Sequence, residues 1–245
     1  MVNKMKDLAI ISTYFNPRNY NSRKKNTDAF LKYIEESGVS DHLYIAEIIY
    51  PNQESFIKHK NTIYLKCESP VWNKEAALNA IVKRLPPHYT KVMWVDLDVM
   101  WTKENWYNDI SKLLDSYKII QPFSKCIYLN NDSSISKIGV GYFNTVKNNI
   151  SEDRVCYGMT MAYTREFCDK FGFFDKFLLG AGDTILAMPA AGQIEDFISF
   201  SRGFCFDDVW DDALKYAENI SNYVNGNYTF YDEEITHLFH GALDF

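Results

Sequence analysis

The 245-residue chain has no apolar run near the roughly 18 residues that would suggest a membrane span. Its opening stretch, Met1 to Ile11, is too polar and too short-cored for a signal peptide. Basic charge is not in excess: 26 Lys and Arg stand against 32 Asp and Glu, for a formal net charge of -6. A broad nucleic-acid footprint needs a basic stripe to neutralise phosphates, so that class of partner is excluded. A local cluster such as Arg23, Lys24 and Lys25 can still hold one small anion. The five cysteines, Cys67, Cys126, Cys156, Cys168 and Cys205, form no Cys-x-x-Cys pair, which points to buried thiols and away from a zinc or disulfide framework. Asn-x-Ser/Thr sequons at Asn131, Asn149, Asn219 and Asn227 occur in an Asn-rich chain with no secretion signal, and chance accounts for them. Internal repeats and a linker that would divide the chain are also missing. The expectation is a cytoplasmic protein folding as one domain over residues 1–245, standing alone or as one module of a longer protein.

Aromatic residues are plentiful, at 17 Tyr and 17 Phe. Most should fill the core, and some offer ring faces for stacking on a planar or saccharide ligand. Leu8 to Phe15 (LAIISTYF) is a buried strand closed by Asn16-Pro17. NTDAFLKYIEESG then reads as a helix capped at Asn26 or Thr27 and stopped at Gly38. Strands over Tyr44 to Ile49 and Thr62 to Lys66 precede a helix from about Asn73 to Arg84, which Pro86 and Pro87 terminate. KVMWV is a fully buried strand ending at Asp96. Strands alternating with helices imply an α/β fold, with a mainly parallel central sheet and helices on both faces. Such sheets place ligands beyond the carboxyl ends of their strands, so the Thr13 to Arg23 loop and Asp96/Asp98 should open onto one edge. KENWYNDISKLLDSY reads as a helix and YKIIQPF as a strand, while Ser124 to Glu152 is polar and offers no clear element. DTILAMPAAG and DDVWDDALKYAENISNY are helical.

Asp96 and Asp98 lie in KVMWVDLDVMW, where a carboxylate is costly to bury without a positive partner. An Asp-x-Asp after an apolar strand suits a hard divalent cation whose shell substrate phosphates complete. The competing reading is capping by Asp98, with Asp96 accepting loop amides. EITHLFHG adds His237 and His240. Imidazole nitrogen suits manganese better than magnesium; the two histidines could also form a zinc pair on one helix face, although no carboxylate or Cys set at zinc spacing accompanies them.

Four segments, STYFNPRNYNSRKKNTDAF, VWNKEAALNAIVKRLPPHYTKVMWVDLDVMW, GFFDKFLLGAGDT and HLFHG, together resemble the GT-A class of nucleotide-sugar glycosyltransferases. The likeness is to single-domain and modular transferases of bacteria and of large DNA viruses of algae. Ser124 to Ser151 carries little of it. The resemblance implies a GT-A, Rossmann-like domain that moves a sugar from a nucleoside-diphosphate donor, UDP ahead of other nucleotides, to a glycan or glycoconjugate acceptor. It assigns Thr13, Tyr14 and Asn16 to the base and ribose, and Arg23 to the base or phosphates. Lys74 and Asn79 would support the nucleotide pocket, with pairing inside their own helix an equal alternative. Asp98 would touch a manganese or magnesium ion directly, Asp96 would bind the ion or the ribose, and His240 would be a further ligand. Asp183 would be the catalytic base or a sugar-hydroxyl ligand, with Gly182 letting the backbone approach; a helix N-cap is its competing role. Related chains usually follow His-Gly with basic residues, whereas here ALDF follows, which puts phosphate closure by the tail in doubt. The alternatives are a non-catalytic nucleotide-sugar-binding module and an Asp-x-Asp phosphohydrolase.

Overall fold

A computed structural model describes residues 6–71, 73–177, 180–202 and 207–241. The chain opens with β1 (Leu8–Phe15), α1 (Asn21–Glu36), β2 (Leu43–Ile49), β3 (Thr62–Lys66), α2 (Lys74–Val82) and β4 (Lys91–Val95). Next come β5 (Val99–Trp101), α3 (Trp106–Leu113), β6 (Ile119–Gln121), β7 (Lys125–Leu129), β8 (Ile135–Gly141) and α4 (Tyr142–Asn148). The remainder is β9 (Val155–Cys156), β10 (Thr160–Thr164), α5 (Arg165–Phe171), α6 (Thr184–Ala190), α7 (Ile194–Ser201), α8 (Asp207–Val224), β11 (Tyr228–Phe230) and β12 (Glu234–His237). Among the described residues no helix is long and apolar enough to cross a membrane.

The large sheet runs β11-β6-β10-β4-β1-β2-β3. Neighbours are parallel except for β10, which is antiparallel to both β4 and β6. Because a strand alternates its side chains between faces, the unbroken apolar run of β1 serves two cores at once. Ala9 and Ile11 pack with Ala77, Leu78 and Ile81 of α2, and with α5, α6 and α8 beyond. Leu8 and Ile10 pack on the other side with Phe30 and Ile34 of α1 and Ile110 of α3. The fold is therefore α/β, with a mainly parallel sheet and helices on both faces.

The region without a clear element in the sequence builds most of a second sheet, ordered β5-β12-β7-β8-β9. Its hairpin strand β8 is exposed over Ile135 to Ile138, so no apolar alternation marks it. The C-terminal His237 lies in β12 rather than on a helix face. Helix α1 begins at Asn21, earlier than the expected cap at Asn26 or Thr27. Asn16 sets this start: its Oδ1 accepts the Tyr20 N–H at 2.8 Å, and its Nδ2 donates to the Tyr20 carbonyl at 2.9 Å. Thr27 instead donates from its hydroxyl to the Arg23 carbonyl inside the helix. Cys126, Cys156 and Cys168 are buried free thiols and Cys67 is a half-buried one; Cys205 lies outside the described residues.

Asn79 holds α2 to the chain after α5. Its Nδ2 donates to the Phe173 carbonyl and its Oδ1 accepts the Phe173 N–H, both at 2.8 Å. Asn79→Ala leaves both backbone groups unpaired, so urea denaturation should show a loss of about 1–3 kcal/mol, with ligand-induced thermal shifts unchanged. Weakened nucleotide binding at unchanged stability would reverse this assignment.

Candidate functional site

A cavity of about 620 Å³ opens at the carboxyl edge of the parallel strands. Ile11 pairs with Trp94 in register, so the chain leaving β4 at Asp96 emerges beside the end of β1. Thr13, Tyr14 and Arg23 line one side, Lys74 and Asp183 another, and Tyr157, Gly158 and Met159 the wall between β9 and β10. Asp96, Asp98, His237 and His240 complete the lining.

Strand pairing brings the C-terminal histidines to Asp98. Strand β12 runs antiparallel to β5 with His237 opposite Val99, and the Leu238 N–H donates to the Asp98 carbonyl at 2.9 Å. Ligand atoms of Asp98, His237 and His240 all lie within 4.8 Å of one another. Among the described residues Asp98 Oδ1 is buried with no hydrogen-bond partner, and His237 Nε2 stands 3.6 Å from it. Burial pushes the Asp98 carboxyl above the usual carboxylate range, against the pull of His237. Burial also holds His240 below its ordinary value, so its imidazole is neutral at neutral pH, as a metal ligand must be. One carboxylate with a buried orphan oxygen, and two imidazoles beside it, fit a divalent cation. The carboxylate that the zinc-pair reading lacked is Asp98, supplied from 139 positions earlier than His237 in the chain.

Asp96 points elsewhere. Its Oδ1 accepts from Lys74 Nζ at 2.6 Å, and that ammonium also sits 3.9 Å from the centre of the Trp94 ring. The Lys74 side chain is 11% exposed and that of Asp96 35%, so the pair is covered on the lysine side and open to the cavity on the carboxylate side. Lys74 thus pairs across to the Asp96–Asp98 loop.

Asp183 caps α6, its Oδ1 accepting the Thr184 N–H at 3.0 Å. Its other oxygen rests against Gly158 at the cavity wall. Capping and an outward role are therefore compatible, because one oxygen is left over. Burial raises its pKa, with Lys74 acting in the opposite direction.

The remaining expected residues divide. Thr13 and Tyr14 line the cavity, and the Tyr14 ring stacks on Phe56 at 5.3 Å. Arg23 also lines it, lying over the Phe15 ring at 5.4 Å with Nη1 donating to the Phe15 carbonyl. Asn16 is buried and committed to the loop before α1, and Asn79 to Phe173; neither lines the cavity. Gly182 lies against the Glu75 side chain, where a Cβ would collide. The ALDF tail, residues 242–245, lies outside the described residues. His237 was visible only through its three-residue spacing to His240. Tyr128, whose ring is 5.1 Å from that of His237, and the Tyr157–Met159 wall carried no sequence signal.

A carboxyl whose pKa is raised in the native state binds its proton more tightly there than in the unfolded chain, so stability falls as pH rises through that window. Asp183→Asn keeps an oxygen for the Thr184 cap and removes this cost. Its Tm should exceed that of the wild type by a few degrees at pH 7.5, and the gap should close as pH falls towards about 4, the unfolded carboxylate value. A variant no more stable than the wild type at pH 7.5 would contradict the burial reading.

No protein-family model matches the sequence, and neither does any curated protein. Solved structures do resemble the fold. They include TarS of S. aureus at 10% identity and a TM-score of 0.45, covering 77% of this chain and 55% of that one. A mutant Drosophila beta-1,4-galactosyltransferase 7, in complex with manganese, UDP-Gal and xylobiose, matches at 12% identity and a TM-score of 0.40, covering 77% of this chain and 61% of that one. The 4-diphosphocytidyl-2C-methyl-D-erythritol synthase of Anaerococcus prevotii matches at 12% identity and a TM-score of 0.41, covering 97% of this chain and 88% of that one. The chain thus spans somewhat over half the length of the first two, and its structural neighbours are glycosyltransferases and nucleotidyltransferases.

Proposed function

We propose that this chain is a metal-dependent glycosyltransferase, moving a sugar from a UDP-linked donor to a glycan or glycoconjugate hydroxyl. The observation that carries the reading is the buried, unpartnered Asp98 oxygen beside His237 and His240, at the mouth of a cavity that also holds Asp96 and Asp183. Asp98, His237 and His240 would hold the ion, and the two imidazoles favour manganese over magnesium. When bound, such an ion supplies Lewis-acid stabilisation of the charge that grows on a departing diphosphate.

The chain's own groups cover the other requirements. Arg23 offers a fork of donors to phosphate oxygens in the cavity it lines. Thr13 and Tyr14 face the space for the base and ribose. Lys74 holds one oxygen of Asp96, which leaves the second to accept a hydroxyl of ribose or donor sugar. Asp183 Oδ2 removes the proton from the acceptor hydroxyl, and its raised pKa makes it a stronger base than an exposed carboxylate. The Tyr157 ring adds an apolar face suited to a saccharide. A phosphohydrolase would need Asp96 as a free nucleophile, which its pairing with Lys74 disfavours.

Thermal-shift measurements with a panel of nucleotide sugars should show a rise in Tm for UDP-sugars that requires manganese, because a ligand bound only by the native state stabilises it. Asp98→Asn should remove the manganese-dependent part and lower turnover at least about 100-fold. If no nucleotide sugar shifts the midpoint in manganese, the reading fails. Manganese-dependent binding without hydrolysis or transfer would mark a non-catalytic binding module.

A further inference from the structure

Gly158 sits where glycine is not required by the backbone. It is absent from the positive-φ glycines, while its neighbour Met159 adopts φ +73 without being one. The glycine therefore stands one residue away from the strained position, and steric contact explains it. A Cβ on Gly158 would overlap Asp183 Oδ2, and would lie 3.1 Å from Asp183 Cγ and 3.4 Å from its Cβ. The Asp183 carboxylate is held on two sides: the Thr184 N–H fixes Oδ1, and the bare Gly158 backbone confines Oδ2. The next residue holds the other acid, since the Met159 carbonyl accepts the Asp96 N–H at 2.9 Å. The short segment between β9 and β10 thus sets the spacing of Asp96 and Asp183.

We propose that Gly158 is a positioning residue for Asp183, its missing side chain fixing the carboxylate where it meets the acceptor hydroxyl. The inference rests on the transferase reading above. The clash falls on the far end of a rotatable side chain, so in Gly158→Ala the carboxylate swings aside while the fold survives. Gly158→Ala should lower kcat by about 10–100-fold, the scale of a misplaced reacting group. Donor KM and the manganese-dependent thermal shift should stay unchanged. The same substitution in an Asp183→Ala background should cost no further turnover, because the group through which it acts is gone.

A second readout needs no turnover. Gly158→Ala should change the pH dependence of Tm by moving Asp183 to a different environment, and should leave that dependence unchanged when Asp183 is already Ala. Additive effects of the two substitutions on the pH dependence of Tm would overturn the role of Gly158, whether or not the wild type turns over. Absence of sugar transfer by the wild type, with this coupling intact, would instead overturn the transferase reading and with it the catalytic purpose of the contact.

Discussion

A buried carboxylate oxygen with no donor costs several kcal/mol unless a positive charge meets it, and the surroundings of Asp98 are arranged around that demand. The pairing of β12 with β5 delivers His237, and the Leu238 N–H fixes the Asp98 backbone. The segment carrying His240 is fastened in turn to α1. Ser22 Oγ donates to the His240 carbonyl and Asn26 Nδ2 to the Phe239 carbonyl, at 3.0 and 3.1 Å. Ser22 and Asn26 are one helical turn apart, and Arg23 lies between them. The contacts that seat the histidine therefore also set Arg23 at the cavity.

The two acids of the Asp-x-Asp differ in what neutralises them. Asp96 has an internal counter-ion in Lys74, whose ammonium lies on the face of Trp94, and the Trp94 Nε1–H donates to the Tyr163 hydroxyl at 2.8 Å. That chain of contacts anchors the pair in the core cluster shared by α2, α5 and α6. Among the described residues Asp98 Oδ1 has no hydrogen-bond partner, and His237 Nε2 stands 3.6 Å away. One acid is thus supplied with its charge partner by folding and the other is not, a division that under the proposed function would suit one to organise a donor and the other to hold an ion.

How much of this the sequence carried depended on burial. The apolar runs of β1 and β4 were legible because both faces of each strand are covered, and α2 because its apolar spacing is helical. The second sheet was not, since β7 and β8 are half-exposed and bind each other more than a core. Asn79 and Gly182 fitted a motif, but their partners, Phe173 and Glu75, lie far along the chain and no local pattern names them. His237 was named beside His240, but its company with Asp98 was not legible, because it is a matter of strand register, which links residues near 98 to residues near 237. Residue type was legible at these positions, and direction was not.

The segment Asp96-Leu97-Asp98 is also one of the joints between the two sheets, since β4 belongs to the first and β5 to the second. Both of its ends are tied by backbone hydrogen bonds, Asp96 through its N–H to Met159 and Asp98 through its carbonyl to Leu238. The Val99 N–H closes the turn back onto the Asp96 carbonyl. A joint held from both sheets cannot move one acid without straining the other. The backbone of both acids is consequently fixed by the fold, the preorganisation that the proposed transferase would need as charge develops on its donor. This joint, tied to both sheets, holds the two acids of a short motif, weak as a pattern, in fixed and different surroundings.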